Sequence, residues 1–152
     1  MHSDVQASYA HISGEMNGEM RNKLHYEIHG LTSPDAPTIV FSSGLGGAAK
    51  FWQPQLGDFA QDYRVITYDH YGTNKSVGDL PANYSISHMA DELAALLRKL
   101  EVQACHFVGH ALGGLVGLEL ALSKPKLLQS LVLVNAWSSP NPHTLRCFNI
   151  RK

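Results

Sequence analysis

Residues 109–113, Gly-His-Ala-Leu-Gly, carry the two glycines of a nucleophile elbow, G-x-S-x-G, with Ala111 in the place of the serine. Such an elbow is a sharp turn between a strand and a helix that lifts one side chain above the sheet. The flanking glycines leave room for the tight backbone. The methyl group of Ala111 cannot attack a carbonyl carbon. The sequence therefore retains the turn but excludes covalent serine catalysis at this position.

A glycine-rich loop, Ser42–Gly47, is the second candidate element of a site. Together with an elbow it predicts an oxyanion hole, in which two backbone N–H groups bind the negative oxygen of a reacting carbonyl. We expect the donors to be Leu45 in the loop and Leu112 directly after the apex, with Gly44 letting the backbone approach the ligand. Alternatively, each segment could be a tight strand-to-helix connection that serves packing alone.

Short apolar segments alternate with amphipathic ones between residues 24 and 134. Their patterns predict strands at 24–29, 38–41, 64–68, 106–108 and 131–134, and helices at 51–60, 86–100 and 112–122. The first strand is expected to be half-buried, and those at 38–41, 106–108 and 131–134 to be buried. Ser85 is expected to cap the second helix, and Pro125 to end the third. This alternation predicts an α/β fold with a mostly parallel sheet and helices on both faces. In such folds ligands bind at the carboxyl ends of the strands.

The chain divides into three parts of different composition. Residues 1–21 are polar and lack periodicity, which indicates a mobile leader, whereas residues 22–135 form the predicted α/β core. Residues 136–152 contain two Asn, two Pro and two Arg and are expected to begin an inserted cap segment. Cys105 and Cys147 are too few for a disulfide scaffold and are expected to be buried or half-buried thiols.

The composition is that of an ordinary globular domain, 44% hydrophobic and 16% charged. The formal net charge of −1 gives no electrostatic basis for binding nucleic acid or an acidic membrane. No apolar run approaches the length of a membrane span. The nine histidines are scattered, without metal-ligand spacing. We therefore expect a cytoplasmic protein with a small-molecule substrate and with neither cofactor nor metal.

Three segments resemble the α/β-hydrolase superfamily in order and spacing: the loop 42–47, Asp69–Ser76 (D-H-Y-G-T-N-K-S, a variant of D-x-R-G-x-G-x-S) and the elbow region 108–114. More specifically, G-H-A-L-G-G-L-V-G at 109–117 and N-A-W-S-S-P-N-P-H-T-L-R-C-F at 135–148 resemble the Rut-pathway D family. This resemblance covers about residues 24–152. It implies hydrolysis of aminoacrylate or carbamate in bacterial uracil (pyrimidine) degradation, and alanine at the apex occurs in that family.

The resemblance also shows two departures. His70-Tyr71 replaces the more usual x-Arg, so the hydrogen bonding of the 69–76 loop cannot be carried over. Members of the family are substantially longer than 152 residues, and their acid and catalytic histidine follow in later strands. The resemblance therefore implies a sheet truncated before its last strands, and no histidine here is assigned as the general base.

Candidate substrate-binding residues lie around the apex and in the predicted cap: Gly44, His110, Asn135, Trp137, His143 and Arg146. Most of them also have a structural explanation. The side chain of His110 is expected to point away from the apex, and Asn135 can cap a turn. Trp137 can be a core aromatic residue, and the two cap residues can belong to a polar helix that packs on the core.

Three interpretations of function are compatible with these features. The first is hydrolysis of a small C–N compound by direct water attack at the oxyanion hole. The second is a non-catalytic α/β-hydrolase fold that binds a ligand or a partner protein. The third is a fragment, inactive by itself, whose apolar sheet edge at 131–134 favours dimerisation or self-association.

Overall fold

The computed structural model describes residues 6–11 and 23–150. Six strands form one mixed sheet in the order β1-β2-β4-β3-β5-β6. Strands β3, β4, β5 and β6 are parallel to their neighbours in this group, whereas β1 and β2 pair antiparallel. The strand bounds are β1 Gln6–His11, β2 Lys23–Gly30, β3 Thr38–Ser42, β4 Arg64–Tyr68, β5 Cys105–His110 and β6 Leu128–Val134.

Within the described part of the chain, four α-helices connect or follow these strands. Their bounds are α1 Gln53–Phe59, α2 Ile86–Lys99, α3 Leu112–Ser123 and α4 Pro142–Ile150, with short 3-10 turns at Ala49–Trp52 and Pro125–Leu127. The predicted helix 51–60 is thus divided between a 3-10 turn and α1. None of the helices within residues 6–11 and 23–150 is long and apolar enough to cross a membrane.

Helices cover both faces of the sheet. Successive residues of a buried strand point to opposite faces, so a single strand contributes side chains to a core on each face. In β3, Val40 packs into the larger core with α2 and α3, whereas Ile39 and Phe41 face a smaller core. That smaller core contains Trp52 and Leu56 from the turn and helix after β3. This arrangement confirms the predicted α/β fold with a largely parallel sheet.

The first strand corrects the prediction of a leader over residues 1–21. Gln6–His11 pairs with Lys23–Ile28 of β2, Ala10 is fully buried, and the ring of Tyr9 lies 5.1 Å from that of His25. The pairing depends on a partner strand rather than on local propensity, so the polar composition of the segment did not reveal it. The remainder of the predicted leader lies outside the described residues.

Strand β6 corrects the prediction of a buried strand at 131–134. Within the described residues it pairs only with β5, and Val132, Leu133 and Val134 are all exposed by more than a third. An apolar run predicts a strand but does not show whether both of its faces are covered. The prediction for Cys147 is also wrong, because this thiol is exposed, whereas Cys105 is buried.

Helix α2 begins where the sequence predicts, but its cap differs. Ser85 occupies the N-cap position with extended backbone angles, and its side chain makes no capping hydrogen bond. Its hydroxyl group lies 2.8 Å from Nδ1 of His88 instead. Helix α3 ends at Ser123, two residues before Pro125, as the sequence predicts.

Candidate active site

The elbow forms where β5 ends and α3 begins. Ala111 lies between them with φ 49° and ψ −114°, a conformation that residues with a Cβ atom rarely adopt. Its backbone N–H donates to the carbonyl oxygen of Val134 at 2.9 Å, and its own carbonyl accepts from Gly114 at 3.0 Å. The strained apex is thus held by β6 on one side and by the first turn of α3 on the other.

The glycines of the elbow are required by close backbone contacts. A Cβ atom on Gly109 would lie 2.5 Å from the carbonyl oxygen of Gly113. A Cβ atom on Gly113 would lie 2.3 Å from the carbonyl oxygen of Ser42, at the end of β3. No side chain fits at either distance, so the G-x-A-x-G spacing places the start of α3 directly against the end of β3.

The glycine-rich loop lies beside the apex. A Cβ atom on Gly44 would lie 3.3 Å from the methyl group of Ala111. The loop closes on itself through a hydrogen bond from the N–H of Gly47 to the carbonyl of Gly44, at 2.9 Å. Ser43 Oγ donates to the carbonyl of Gly47 at 3.0 Å. The side chain of Leu45, 78% exposed, projects into solvent, so the predicted oxyanion role concerns its backbone N–H alone.

The first turn of α3 supplies the second predicted donor. Leu112 is the first residue of this helix, and the first N–H groups of a helix have no acceptor within it. They also lie at the positive end of the helix dipole, which favours a negative oxygen. Leu112, Ala111 and the loop around Gly44 thus come together, and assignment of the two N–H donors stays a prediction.

His110 faces the loop. Its Nδ1 atom lies 3.1 Å from the position that a Cβ atom on Gly44 would take, and its ring stacks on that of Phe51 at 4.8 Å. The same Cβ position on Gly44 would lie 3.3 Å from the methyl group of Ala111. Nδ1 is buried without a hydrogen-bond partner. The imidazole therefore packs against the glycine-rich loop, and the expectation that this side chain points away from the apex stays a prediction.

The loop that follows β4 carries a buried carboxylate. Asp69 is fully buried, and its Oδ1 accepts from the N–H of Ala49 at 2.8 Å. Its Oδ2 accepts from Nδ2 of Asn74 at 2.9 Å and from the N–H of Lys75 at 3.3 Å. Nδ1 of His25 lies 3.3 Å from the same oxygen. The carboxylate therefore joins three parts of the chain behind the glycine-rich loop.

Two more hydrogen bonds link β4 and its loop to the same region. Nε2 of His70 lies 3.1 Å from the carbonyl oxygen of Ser43, and Tyr68 Oη lies 2.7 Å from Ser42 Oγ. Burial lowers the pKa of His70 and raises the pKa of Tyr68 above its ordinary value. Both side chains are therefore held in their uncharged forms behind the apex.

Comparisons with known proteins agree with this geometry. Residues 37–151 match the family described as alpha/beta hydrolase fold. The chain belongs to the α/β hydrolase fold family. It is 66% identical over 128 residues to a protein of Stutzerimonas stutzeri (strain A1501) named "Putative carbamate hydrolase RutD", covering 84% of this chain and 48% of the relative. The protein of the same name from Pseudomonas syringae pv. syringae (strain B728a) is 60% identical, with 85% and 50% covered.

A solved structure supports the same assignment. The chain is similar to a hydrolase from Pseudomonas aeruginosa PA01 with a TM-score of 0.79 and 29% identity, covering 95% of this chain and 51% of that one. The chain spans about half the length of the curated relatives it matches. The resemblance noted in the sequence is therefore confirmed.

The remaining predicted site residues follow β6 in the chain. Asn135 directly follows β6 with φ 51° and is exposed, and Trp137 is half-buried two residues later. His143 and Arg146 are exposed on α4, where Nε2 of His143 lies 3.6 Å from Sγ of Cys147. Their assignment to substrate binding stays a prediction.

The sequence did not reveal that Asp69, His70 and Phe51 contact the residues of the candidate site. Asp69 and His70 stood in the sequence as parts of a superfamily motif, but their contacts with Ala49 and Ser43 join residues 20 and 27 positions apart. Phe51 was assigned only to a helix, although it covers one face of His110. In an α/β hydrolase, the signal for such contacts is that β3 and β4 end at the same edge of the sheet.

Proposed function

We propose that the chain is part of a hydrolase that acts on a small C–N compound, carbamate or aminoacrylate, in cytoplasmic pyrimidine degradation. The observation that carries the proposal is the strained apex at Ala111 beside Gly44, where an oxyanion hole needs its two backbone donors. The curated relatives named for carbamate hydrolysis supply the substrate class.

The reaction proceeds by water attack, because the methyl group of Ala111 cannot form an acyl intermediate. For carbamate, the oxygen of a water molecule adds to the carboxyl carbon, and the former carbonyl oxygen takes up the negative charge. The N–H groups of Leu45 and Leu112 donate to that oxygen. The C–N bond then breaks, the nitrogen accepts one proton from the attacking water, and ammonia and bicarbonate leave.

The expected rate enhancement is modest. In a serine protease, loss of the nucleophile costs about a millionfold in kcat, while the oxyanion hole and substrate binding retain about a thousandfold over water. An enhancement of that size is sufficient for a substrate that already hydrolyses readily. The function is therefore limited to labile C–N compounds, and stable amides and peptides are excluded as substrates.

The direct test compares carbamate hydrolysis in the presence of the protein, as its gene encodes it, with the spontaneous rate under the same conditions. We expect a faster release of ammonia, lost in the Gly44→Ala variant, in which the new methyl group meets Ala111 and His110. Gly57→Ala is the matched control, because a Cβ atom there would meet nothing within 4 Å apart from neighbouring residues of its own helix. Equal rates with and without the wild-type protein would contradict the proposal.

A second candidate function is ligand binding without turnover, and the methyl group at the apex favours it. The Ala111→Ser variant separates the two functions. New esterase activity towards p-nitrophenyl acetate would show that an acid and a base are in place, as in an enzyme. Saturable carbamate binding in the wild type, without turnover and without esterase gain in the variant, would instead establish a binding protein.

A further inference from the structure

We propose that Asp69 and His70 are positioning residues that fix the two ends of the oxyanion loop, defined here as residues 44–48. His70 holds the carbonyl immediately before the loop, on Ser43, and Asp69 holds the N–H immediately after it, on Ala49. The inference rests on the proposed function, because it assigns these residues a role in presenting the N–H of Leu45 to the substrate.

The loop needs external support because of its composition. Gly44, Gly46 and Gly47 make three of its five residues glycine, and Gly46 has φ 70°. Glycine has the largest backbone freedom of any residue, so such a loop samples many conformations unless contacts select one. An oxyanion donor must be held within about 0.5 Å of its working position. The internal hydrogen bond from Gly47 to Gly44 shapes the turn but does not attach it to the sheet.

Asp69 supplies the attachment after the loop. Its carboxylate has no exposed surface, and Oδ1 is directed at the N–H of Ala49, the first residue of the 3-10 turn. The other oxygen accepts from Asn74 and Lys75, which fixes the plane of the carboxylate. Hydrogen bonds to an ionised carboxylate are about twice as strong as those between neutral groups. Asn74 itself has φ 44° and stands where the superfamily motif has a glycine.

His70 supplies the attachment before the loop. Its side chain is 4% exposed, and Nε2 lies 3.1 Å from the carbonyl oxygen of Ser43. A carbonyl oxygen only accepts, so Nε2 carries the proton and donates it. Burial lowers the pKa of His70, which favours the neutral ring with this single tautomer. The ring also packs at 5.0 Å against Tyr68, which fixes its orientation.

The two contacts come from one position that the superfamily motif leaves open and one that it specifies. His70 stands where the motif accepts any residue, and this histidine makes the hydrogen bond to Ser43. The preceding Asp69 belongs to the motif and makes the second hydrogen bond. Adjacent residues at the end of β4 therefore hold both ends of a loop that begins more than twenty residues earlier in the chain.

The test uses His70→Phe, which keeps an aromatic ring against Tyr68 but removes the Nε2 donor. In the protein as its gene encodes it, we expect kcat for carbamate hydrolysis to fall about 10- to 100-fold with KM changed less than about twofold, since an oxyanion donor acts mainly in the transition state. His70→Gln, which can restore an N–H donor, is expected to recover most of the loss. His29→Phe is the matched control, because this histidine is equally buried but lies in β2.

A second readout does not depend on turnover. Hydrogen exchange of the peptide containing residues 44–48 is expected to quicken in His70→Phe and to return towards the wild-type rate in His70→Gln. Asn74→Gly keeps the left-handed backbone, removes one donor to Asp69 and is expected to cause a smaller increase. If the wild type does not turn over carbamate but the exchange rates change in this order, the proposed function fails and the positioning role stands. Unchanged exchange in both His70→Phe and Asn74→Gly would overturn the positioning role, whatever the activity.

Discussion

The two sides of the elbow are held in different ways. On the β3 side, Ser42, Asp69 and His70 are buried, and their hydrogen bonds join segments far apart in the chain. On the β6 side, Asn135 is exposed, and so are His143 and Arg146 on α4, the helix that follows β6 in the chain. The difference indicates that the β3 side fixes the geometry around the apex, whereas a role of the exposed residues after β6 in ligand binding stays a prediction.

The largest expected effect comes from the contact between α3 and β3. In Gly113→Ala the new methyl group would lie 2.3 Å from a backbone oxygen of Ser42, and neither backbone segment can move without disturbing the sheet. We expect a loss of at least about 3 kcal/mol in the free energy of unfolding, measured by urea denaturation. The control is Gly57→Ala in α1, where the space is open and alanine is the better helix former by about 1 kcal/mol. Equal effects of the two substitutions would contradict a fixed β3 side.

The sequence predicted those parts of the fold that depend on local patterns. The bounds of β4, Arg64–Tyr68, agree with the predicted strand 64–68, since four of its five residues are β-branched or aromatic and a polar loop follows them. The elbow was predicted because its glycines must stand at a fixed spacing. In contrast, β1 depends on pairing with β2, and its own residues carry only a weak strand pattern.

The glycines at the centre of the site could be predicted from the sequence, whereas the buried residues that hold the glycine-rich loop could not. Glycines at 44, 109 and 113 mark close backbone approaches, which a sequence displays directly. The role of Asp69 could not be inferred in the same way, because a buried aspartate is defined by the donors that surround it. Those donors, Ala49 and Asn74, come from two different loops, and only the folded sheet brings them together.

A half-buried acid on α2 gives a pH-dependent prediction of intermediate size. Burial raises the pKa of Glu92 on α2 to about 7, although the hydrogen bond from Tyr84, at 2.6 Å, opposes this increase. The pKa of Glu92 is higher in the folded state than in the unfolded chain, so the proton stabilises the fold below about pH 4.5. This contribution is lost as the pH rises through about 7.

The Glu92→Gln variant tests this contribution, because glutamine resembles the protonated acid and can still accept from Tyr84. At pH 8 we expect the free energy of unfolding of the variant to exceed that of the wild type by about 2 kcal/mol. This is less than the free energy that corresponds to the whole pKa shift, because the carboxylate is partly solvated. The difference should disappear near pH 4. A constant difference across this range, measured by denaturation at each pH, would show that packing rather than ionisation is responsible.

A smaller effect is expected at the apex itself. Ala111 has φ 49° and ψ −114°, a conformation accessible to glycine at little cost. Ala111→Gly removes strain of about 1–3 kcal/mol but increases the backbone entropy of the unfolded chain by about 0.4–1 kcal/mol. We therefore expect a net gain of about 1 kcal/mol in unfolding free energy, visible as a higher melting temperature. A loss of stability would mean that the apex is not strained in solution.

The smallest effect is expected on the β6 side, where neighbouring strands provide a matched pair of valines. Val132 in β6 is 49% exposed and stands opposite Val108 in β5, which packs against the smaller core. Threonine has nearly the shape of valine but adds a hydroxyl group. We expect Val108→Thr to cost about 1–2 kcal/mol in unfolding free energy and Val132→Thr less than about 0.5 kcal/mol.

If the apolar edge at β6 drives self-association, Val132→Thr should also weaken it in sedimentation experiments at high protein concentration, whereas Val108→Thr should not. Equal costs for the two valines would mean that β6 is covered in solution, and the contrast between the two sides of the elbow would then no longer hold.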